Sequence, residues 1–187
     1  MEKYFEKELS WIKDDKIREQ TKKMLECISP EFFQAAASST GKYHPSYALG
    51  EGGLYRHTRA AVGIAKDLLE LEWIKDRCGE DSRDYILAAL MLHDGAKSGK
   101  TWESKYTKHT HPVDMVSLIK DNLEGEENEK FVTEVGRLIS SHMGQWNTCR
   151  WDFNVLPKPD KADEFFVHMC DYLASRKYLE YKFEENV

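Results

Sequence analysis

The stretch Tyr85-Ile-Leu-Ala-Ala-Leu-Met-Leu-His93-Asp94-Gly-Ala-Lys97 decides how this chain is read. An unbroken apolar run ends in an imidazole and a carboxylate, two groups that are costly to bury unless they are paired or bound to a cation. Lys97 follows Asp94 by three residues, about one helical turn. Alone, the doublet also suits a structural His–Asp hydrogen bond. What surrounds it separates the two readings.

Upstream, Leu54, His57, Ala61, Ile64 and Leu68 recur at helical spacing, so His57 points where the core is. Before them, Ser38 to Pro45 and Gly50 to Gly53 form a long turn-rich connection, a texture that in compact domains is commonly functional. Residues 3–28 place Phe5, Leu9, Ile12, Ile17, Met24 and Leu25 among charges as one or two amphipathic helices. Ser29-Pro30 ends them, and Pro30 suits the first position of a short helix to about Ala37. Gly79 to Ser82 then separates the His57 helix from the buried helix of Asp84 to Asp94, with Ser82 as its N-cap.

Downstream, a polar loop from Ser98 to Thr110 leads to His111-Pro112 and a helix carrying Val113, Val116, Leu118, Ile119 and Leu123. Glu124 to Glu129 reads as a solvated turn. Phe131, Val135, Leu138 and His142 again put an imidazole at the end of an apolar helical face. A last helix, Lys161 to Phe183, aligns Val167, Asp171, Ala174 and Tyr178, and Asp171 is its anomalous member. With no strand alternation and no repeat, the expected fold is all-α, a single domain with N-terminal helices over residues 1–37 packed on a core spanning residues 38–187.

The chain has 187 residues, 41% hydrophobic and 12% aromatic, enough for one sizeable core. Its 33 acidic and 27 basic residues give a net charge of -6, which argues against a duplex DNA surface and leaves room for a local basic pocket. Cys27, Cys78, Cys149 and Cys170 form no C-x-x-C pair and read as reduced thiols. No signal core or membrane-length stretch is visible, so a cytoplasmic location is expected.

His57, His93, Asp94, His111, His142 and Asp171 thus supply nitrogens and carboxylates from apolar helical faces and helix ends. Facing helices are where such side chains build metal sites. Mixed nitrogen and oxygen ligation suits manganese, iron, cobalt, nickel or zinc better than calcium. At Gly52-Gly-Leu-Tyr-Arg-His57-Thr, Leu92-His-Asp-Gly-Ala-Lys97, His111-Pro112, Ser140-Ser-His142-Met-Gly and Cys170-Asp171-Tyr the chain resembles the HD superfamily of metal-dependent phosphohydrolases. The upstream loop and Ser-Ser-His142-Met-Gly are most similar to HD domains of bacterial 3′-to-5′ exoribonucleases and small phage or firmicute relatives. Those nucleases carry a separate nucleic-acid-binding domain for which this chain has no room. Gly95-Ala96 stands where the family more often has Ile or Leu followed by Gly.

The resemblance implies one or two divalent metal ions. His57, His93, Asp94 and Asp171 would hold one; His111, His142 and a bridging Asp94 would hold the other, with a metal-activated water attacking phosphorus. Lys97 would neutralise a phosphate oxygen or pair with Asp94. The expected substrate is a nucleotide or short oligonucleotide. His109 is an alternative to His111, which is preferred because it opens a helix.

Lys42, His44, Arg56 and Arg176 are substrate-binding candidates; a turn component is the plainer reading of His44, a solvated side chain is an equal reading of Arg56 and Arg176, and Lys42 follows Gly41 without the glycine and Ser or Thr of a Walker motif. His168 orients Asp171 or packs. Trp102, Trp146 and Trp151 lie in loops near the third and fourth ligand helices, where one could stack on a base, with core filling or capping of the pocket the default. Two other functions share the ligand pattern: a di-iron oxygenase on the same fold, and a non-enzymatic module that binds a nucleotide signal.

Overall fold

A helix that is apolar all round has to lie inside the protein rather than on its surface. The computed structural model, described for residues 4–38 and 40–179, bears this out for the central run. Ile86 to Leu92 are each 0% exposed. Among the described residues there are eight α-helices: α1 (Glu6–Leu9), α2 (Asp15–Cys27), α3 (Gly53–Leu68), α4 (Glu72–Cys78), α5 (Arg83–Leu92), α6 (His111–Asn122), α7 (Glu129–Ser141) and α8 (Ala162–Ala174). They contain no β-strand; two isolated bridges, Lys97 with Gly99 and Cys149 with Asp152, pin turns. The fold is all-α, with α2, α3, α7 and α8 packed around α5.

Each outer helix buries the side its sequence makes apolar. Helix α2 contributes Ile17, Met24 and Leu25, and α7 contributes Phe131, Val135, Leu138 and Ile139. A side chain such as Leu90, fully buried at the centre, stabilises the fold by about 1.5–3 kcal/mol. Its truncation to alanine would cost about 2–5 kcal/mol. The entry to α2 is set by two carboxylates: Asp14 caps the helix through the Ile17 amide at 2.9 Å, and Asp84 of α5 accepts the Lys13 and Asp14 amides at 2.9 and 2.7 Å.

Several boundaries differ from those the sequence suggests. The short helix after Pro30 is a single 3₁₀ turn, Pro30–Phe33. The His57 helix does not run to Gly79: it stops at Leu68, and α4 starts after Leu71, whose extended backbone (ψ 122°) redirects the chain. Ser82 occupies the cap position of α5 but makes no capping hydrogen bond through its side chain. In α6 the inward line is Met115 and Ile119, followed by Leu123 just past its end, while Val113 is 48% exposed. Helix α8 ends at Ala174, so Tyr178 lies beyond it and is exposed; residues 180–183 of the expected helix lie outside the described residues.

The loop from Ser38 to Gly52 is stitched down at both ends. Gly52 and Leu54 donate their amides to Gln34 and Ala35, and Ala37 donates to Ala48. Gly53 backs directly onto the Ala48 carbonyl, where a Cβ would come within 2.3 Å of the oxygen. Arg56 grips the loop from below, donating to the carbonyls of Tyr47, Leu49 and Glu51 at 2.6, 3.1 and 2.8 Å. The middle of the loop is tied to the end of α8 and the residues just past it, through Tyr47 O–H to Ala174 O at 3.0 Å and Lys177 N–H to Tyr43 O at 2.7 Å. Tyr43 and His44 are thereby held over a cavity.

Candidate metal centre

Helix ends deliver the imidazoles. His93 follows the last residue of α5, His142 follows the last residue of α7, and His111 opens α6. All three are buried, and each directs Nδ1 at a backbone carbonyl three residues earlier: Leu90 at 2.7 Å, Ile139 at 2.8 Å and Lys108 at 2.7 Å. A carbonyl can only accept, so Nδ1 carries the proton and the Nε2 lone pair is turned to the common space. His57, from the middle of α3, and Asp171, from α8, complete the cluster, with His57 Nε2 2.9 Å from Asp171 Oδ1.

Asp94 sits at the junction. Its Oδ2 lies 2.5 Å from Lys97 Nζ and 3.5 Å from His93 Nε2, and its Oδ1 lies 3.1 Å from His111 Nε2. Gly95 makes this turn possible, because a Cβ there would meet Ile28 Cδ1 at 2.7 Å and Met115 Sδ at 2.9 Å. His93 Nε2 is also 3.5 Å from Asp171 Oδ1 and has no hydrogen-bond partner, although it is completely buried.

Two of these features ask for a cation. The Nε2 atoms of His111 and His142 face each other at 3.2 Å, lone pair toward lone pair, and His93 Nε2 is an orphan between two carboxylates. Burial, with His93 and His111 nearby, lowers His142 to about 3, so it stays neutral and able to donate a lone pair. Burial opposes charge on His93 too, but Asp94 and Asp171 overcome it and raise that imidazole to about 10. Burial likewise pushes Asp94 and Asp171 upward, and is outweighed by Lys97 and His93 at Asp94 and by His57 and His93 at Asp171; both carboxyls are held well below their usual range. A divalent ion held here would supply the positive charge that the cluster otherwise draws from a proton on His93.

Three groups have ligand atoms within 4.8 Å of one another: His57, His93 and Asp94; Asp94, His111 and His142; and His93, His142 and Asp171. The first two share Asp94. The donor set therefore fits one or two divalent cations.

The other candidates separate cleanly. His44 and Arg176 line the cavity above the cluster, which measures about 520 Å³. His44 packs its ring 5.6 Å from that of His57, and burial, followed by the His57 charge, lowers it to about 4. Arg56 does not line that cavity, its Nε and one terminal nitrogen donating to loop carbonyls, and neither does Lys42, which is exposed beside the Tyr43 ring. His109 faces the Asn154 carbonyl at 3.2 Å, away from the cluster. His168 does not orient Asp171; it donates Nδ1–H to the His142 carbonyl at 2.7 Å. Sequence reasoning did not single out Tyr43, Met143 or Tyr172 among the residues lining the cavity. Tyr172 carried a usable signal, an aromatic next to the anomalous Asp171.

Interdigitating helices that present histidines and aspartates to one buried point define a class. The HD domain family matches residues 54–176, and the chain belongs to that family. It is also similar to a dihydroneopterin 2′,3′-cyclic phosphate phosphodiesterase of Methanocaldococcus jannaschii, 28% identical over 179 residues, a match covering 88% of this chain. The chain spans 65% of the length of that relative. No solved structure matches it.

Proposed function

We propose that the protein is a metal-dependent phosphodiesterase acting on a small nucleotide-like phosphodiester. The observation that carries this reading is the sharing of Asp94 between two ligand groups on the floor of an open cavity. Paired cations bridged by one carboxylate suit in-line displacement at phosphorus. Membership of the HD family and likeness to a cyclic phosphate phosphodiesterase point the same way.

In this reading His57, His93, Asp94 and Asp171 would hold one cation, and Asp94, His111 and His142 would hold the second. When bound, the cations acidify a water and offset the charge that develops on the phosphoryl oxygens. The chain supplies the aim. The carbonyls of Leu90, Lys108 and Ile139 fix three imidazoles in the ligand tautomer. Lys97 keeps Asp94 ionised and orients it, and because Lys97 also lines the cavity, its remaining N–H donors serve a phosphoryl oxygen. His44 and Arg176 offer further donors above the cluster.

The test is hydrolysis by protein loaded separately with manganese, iron, cobalt, nickel and zinc. The panel contains 2′,3′- and 3′,5′-cyclic nucleotides, dihydroneopterin 2′,3′-cyclic phosphate, nucleoside mono- and triphosphates and short RNA. Diester cleavage is expected, lost on Asp94→Asn. Metal-loaded protein that cleaves none of these would refute the proposal, and iron-dependent oxygen consumption in its place would favour the oxygenase reading.

A further inference from the structure

One wall of the cavity is built as a layered stack. The Arg176 guanidinium lies over the Tyr172 ring at 4.3 Å and over the Tyr43 ring at 5.3 Å. Trp146 continues the column on Tyr172, with centroids 5.8 Å apart and planes 14° from parallel. All four residues line the cavity that has the histidine cluster at its floor.

The two ends of the column differ. Tyr43 has cations over its ring already, Arg176 and Lys42, the latter at 5.1 Å. Trp146 has one face on Tyr172 and is still 43% exposed. The other loop tryptophans offer nothing comparable. Trp102 packs against the hydrophobic core, and Trp151 is 81% exposed, outside the cavity, with Arg150 over its ring at 4.9 Å.

The position of Trp146 is fixed relative to the cluster. It ends the 3₁₀ turn Gly144–Trp146, which begins two residues after His142. Gly144 has φ +56°, and a Cβ there would strike the His168 ring at 2.3 Å. His168 donates to the His142 carbonyl and sits 6.0 Å from the Trp146 ring. One buttress thus sets both a metal-ligand candidate and the indole. Arg176 pairs with no carboxylate among the described residues; its donors go to Ser175 Oγ at 3.1 and 2.8 Å, so the column keeps a positive charge beside the cavity.

We propose that Trp146 is a stacking platform for a planar heteroaromatic ring carried by the substrate, with Tyr172 and Arg176 backing it. This rests on the phosphodiesterase reading and deepens it by naming the residue that recognises the flat heterocycle, so that a ring-bearing phosphodiester is selected over one on an open-chain alcohol. An indole face accepts any base, because every base has a π-face to stack on it.

The experiment compares adenosine 2′,3′-cyclic phosphate with glycerol 1,2-cyclic phosphate in the metal-loaded protein and in Trp146→Ala and Trp146→Phe. For the ring-bearing ester, Trp146→Ala is expected to lower kcat/KM about 5- to 150-fold, chiefly through KM. That is the span of about 1–3 kcal/mol for one stacked base at 1.4 kcal/mol per tenfold. The glycerol ester should change less than about twofold, and Trp146→Phe should keep most of the preference. Equal loss on both esters, or no loss on either, would overturn the platform while leaving the hydrolase standing. Direct titration with adenosine monophosphate and with methyl phosphate is independent of turnover. Preferential binding of the nucleotide that disappears in Trp146→Ala supports the platform even if no ester is cleaved, and equal binding of the two refutes it.

Discussion

Replacing Arg137 with methionine removes the cation that joins α7 to the first turn of α8, the two helices that carry His142 and Asp171. Its guanidinium meets Asp163 as a fork, at 2.9 and 2.6 Å, and reaches Glu164 at 2.9 Å and Glu134 at 2.7 Å. The side chains of Asp163 and Glu164 are each only 7% exposed, whereas Arg137 is 21% and Glu134 33% exposed. Breaking a buried pair costs about 3–5 kcal/mol, and an exposed one at most about 1 kcal/mol. With two buried carboxylates stranded and the arginine partly wet, the expected loss is near the lower bound, about 3 kcal/mol. For a chain of this length that lowers the midpoint of thermal unfolding by about 6–12 °C. Burial pushes Asp163 and Glu164 upward, but Arg137 prevails and holds both below the usual carboxylate range. A lowered carboxyl contributes stability that is present above its unfolded value, about 4, and is lost as pH falls through its folded value. The gap between wild type and Arg137→Met in denaturant titrations should therefore be widest near neutral pH and narrow below about pH 4. A loss under about 1 kcal/mol at pH 7, or a gap that stays constant to pH 3, would refute the reasoning.

Divalent manganese, iron, cobalt, nickel or zinc should stabilise the protein, by about 2.7 kcal/mol at a hundredfold excess over Kd, and a chelator should reverse it. Thermal unfolding measures this; no shift with any of the five would exclude a resident ion. Metal content per chain should drop by one ion in His111→Ala with His142→Ala, while an unchanged content would dismiss the second site. Gly53→Ala forces a methyl group against the Ala48 carbonyl and should cost about 1–3 kcal/mol, with kcat/KM falling because Tyr43 and His44 ride on the displaced loop. Lys97→Met removes the ammonium beside Asp94 and should lower kcat by at least about tenfold, an effect of charge at the reacting phosphate. Full activity in that variant would show that Lys97 only packs.

The cluster could be read in the sequence because each member breaks a pattern: an acid or imidazole where a helical face is otherwise apolar. His57, His93, Asp94, His142 and Asp171 are all of that kind, and the central helix announced itself by being apolar on every side. What lacked a local signal was missed. Between Leu68 and Glu72 no glycine or proline marks the break before α4, and Ser175-Arg176-Lys177 gives no warning that α8 has ended. Arg56 looked like a phosphate ligand because nothing along the chain reveals that three loop carbonyls lie within its reach. Arg137 is invisible for the same reason, its main partners lying 26 and 27 positions away. Of three loop tryptophans, only three-dimensional placement separates Trp146 from its neighbours.

The carbonyls behind His93, His111 and His142 bear on how far the surroundings of these rings can change without disturbing them. Each of these rings takes its bearing from its own chain three residues back, not from an adjoining helix. Insertions in the stretch between Lys97 and Lys108, or after Gly144, would lengthen or reshape the surroundings without swivelling these imidazoles. Rings that are self-aligned in this way keep their bearing when the walls around the cavity change.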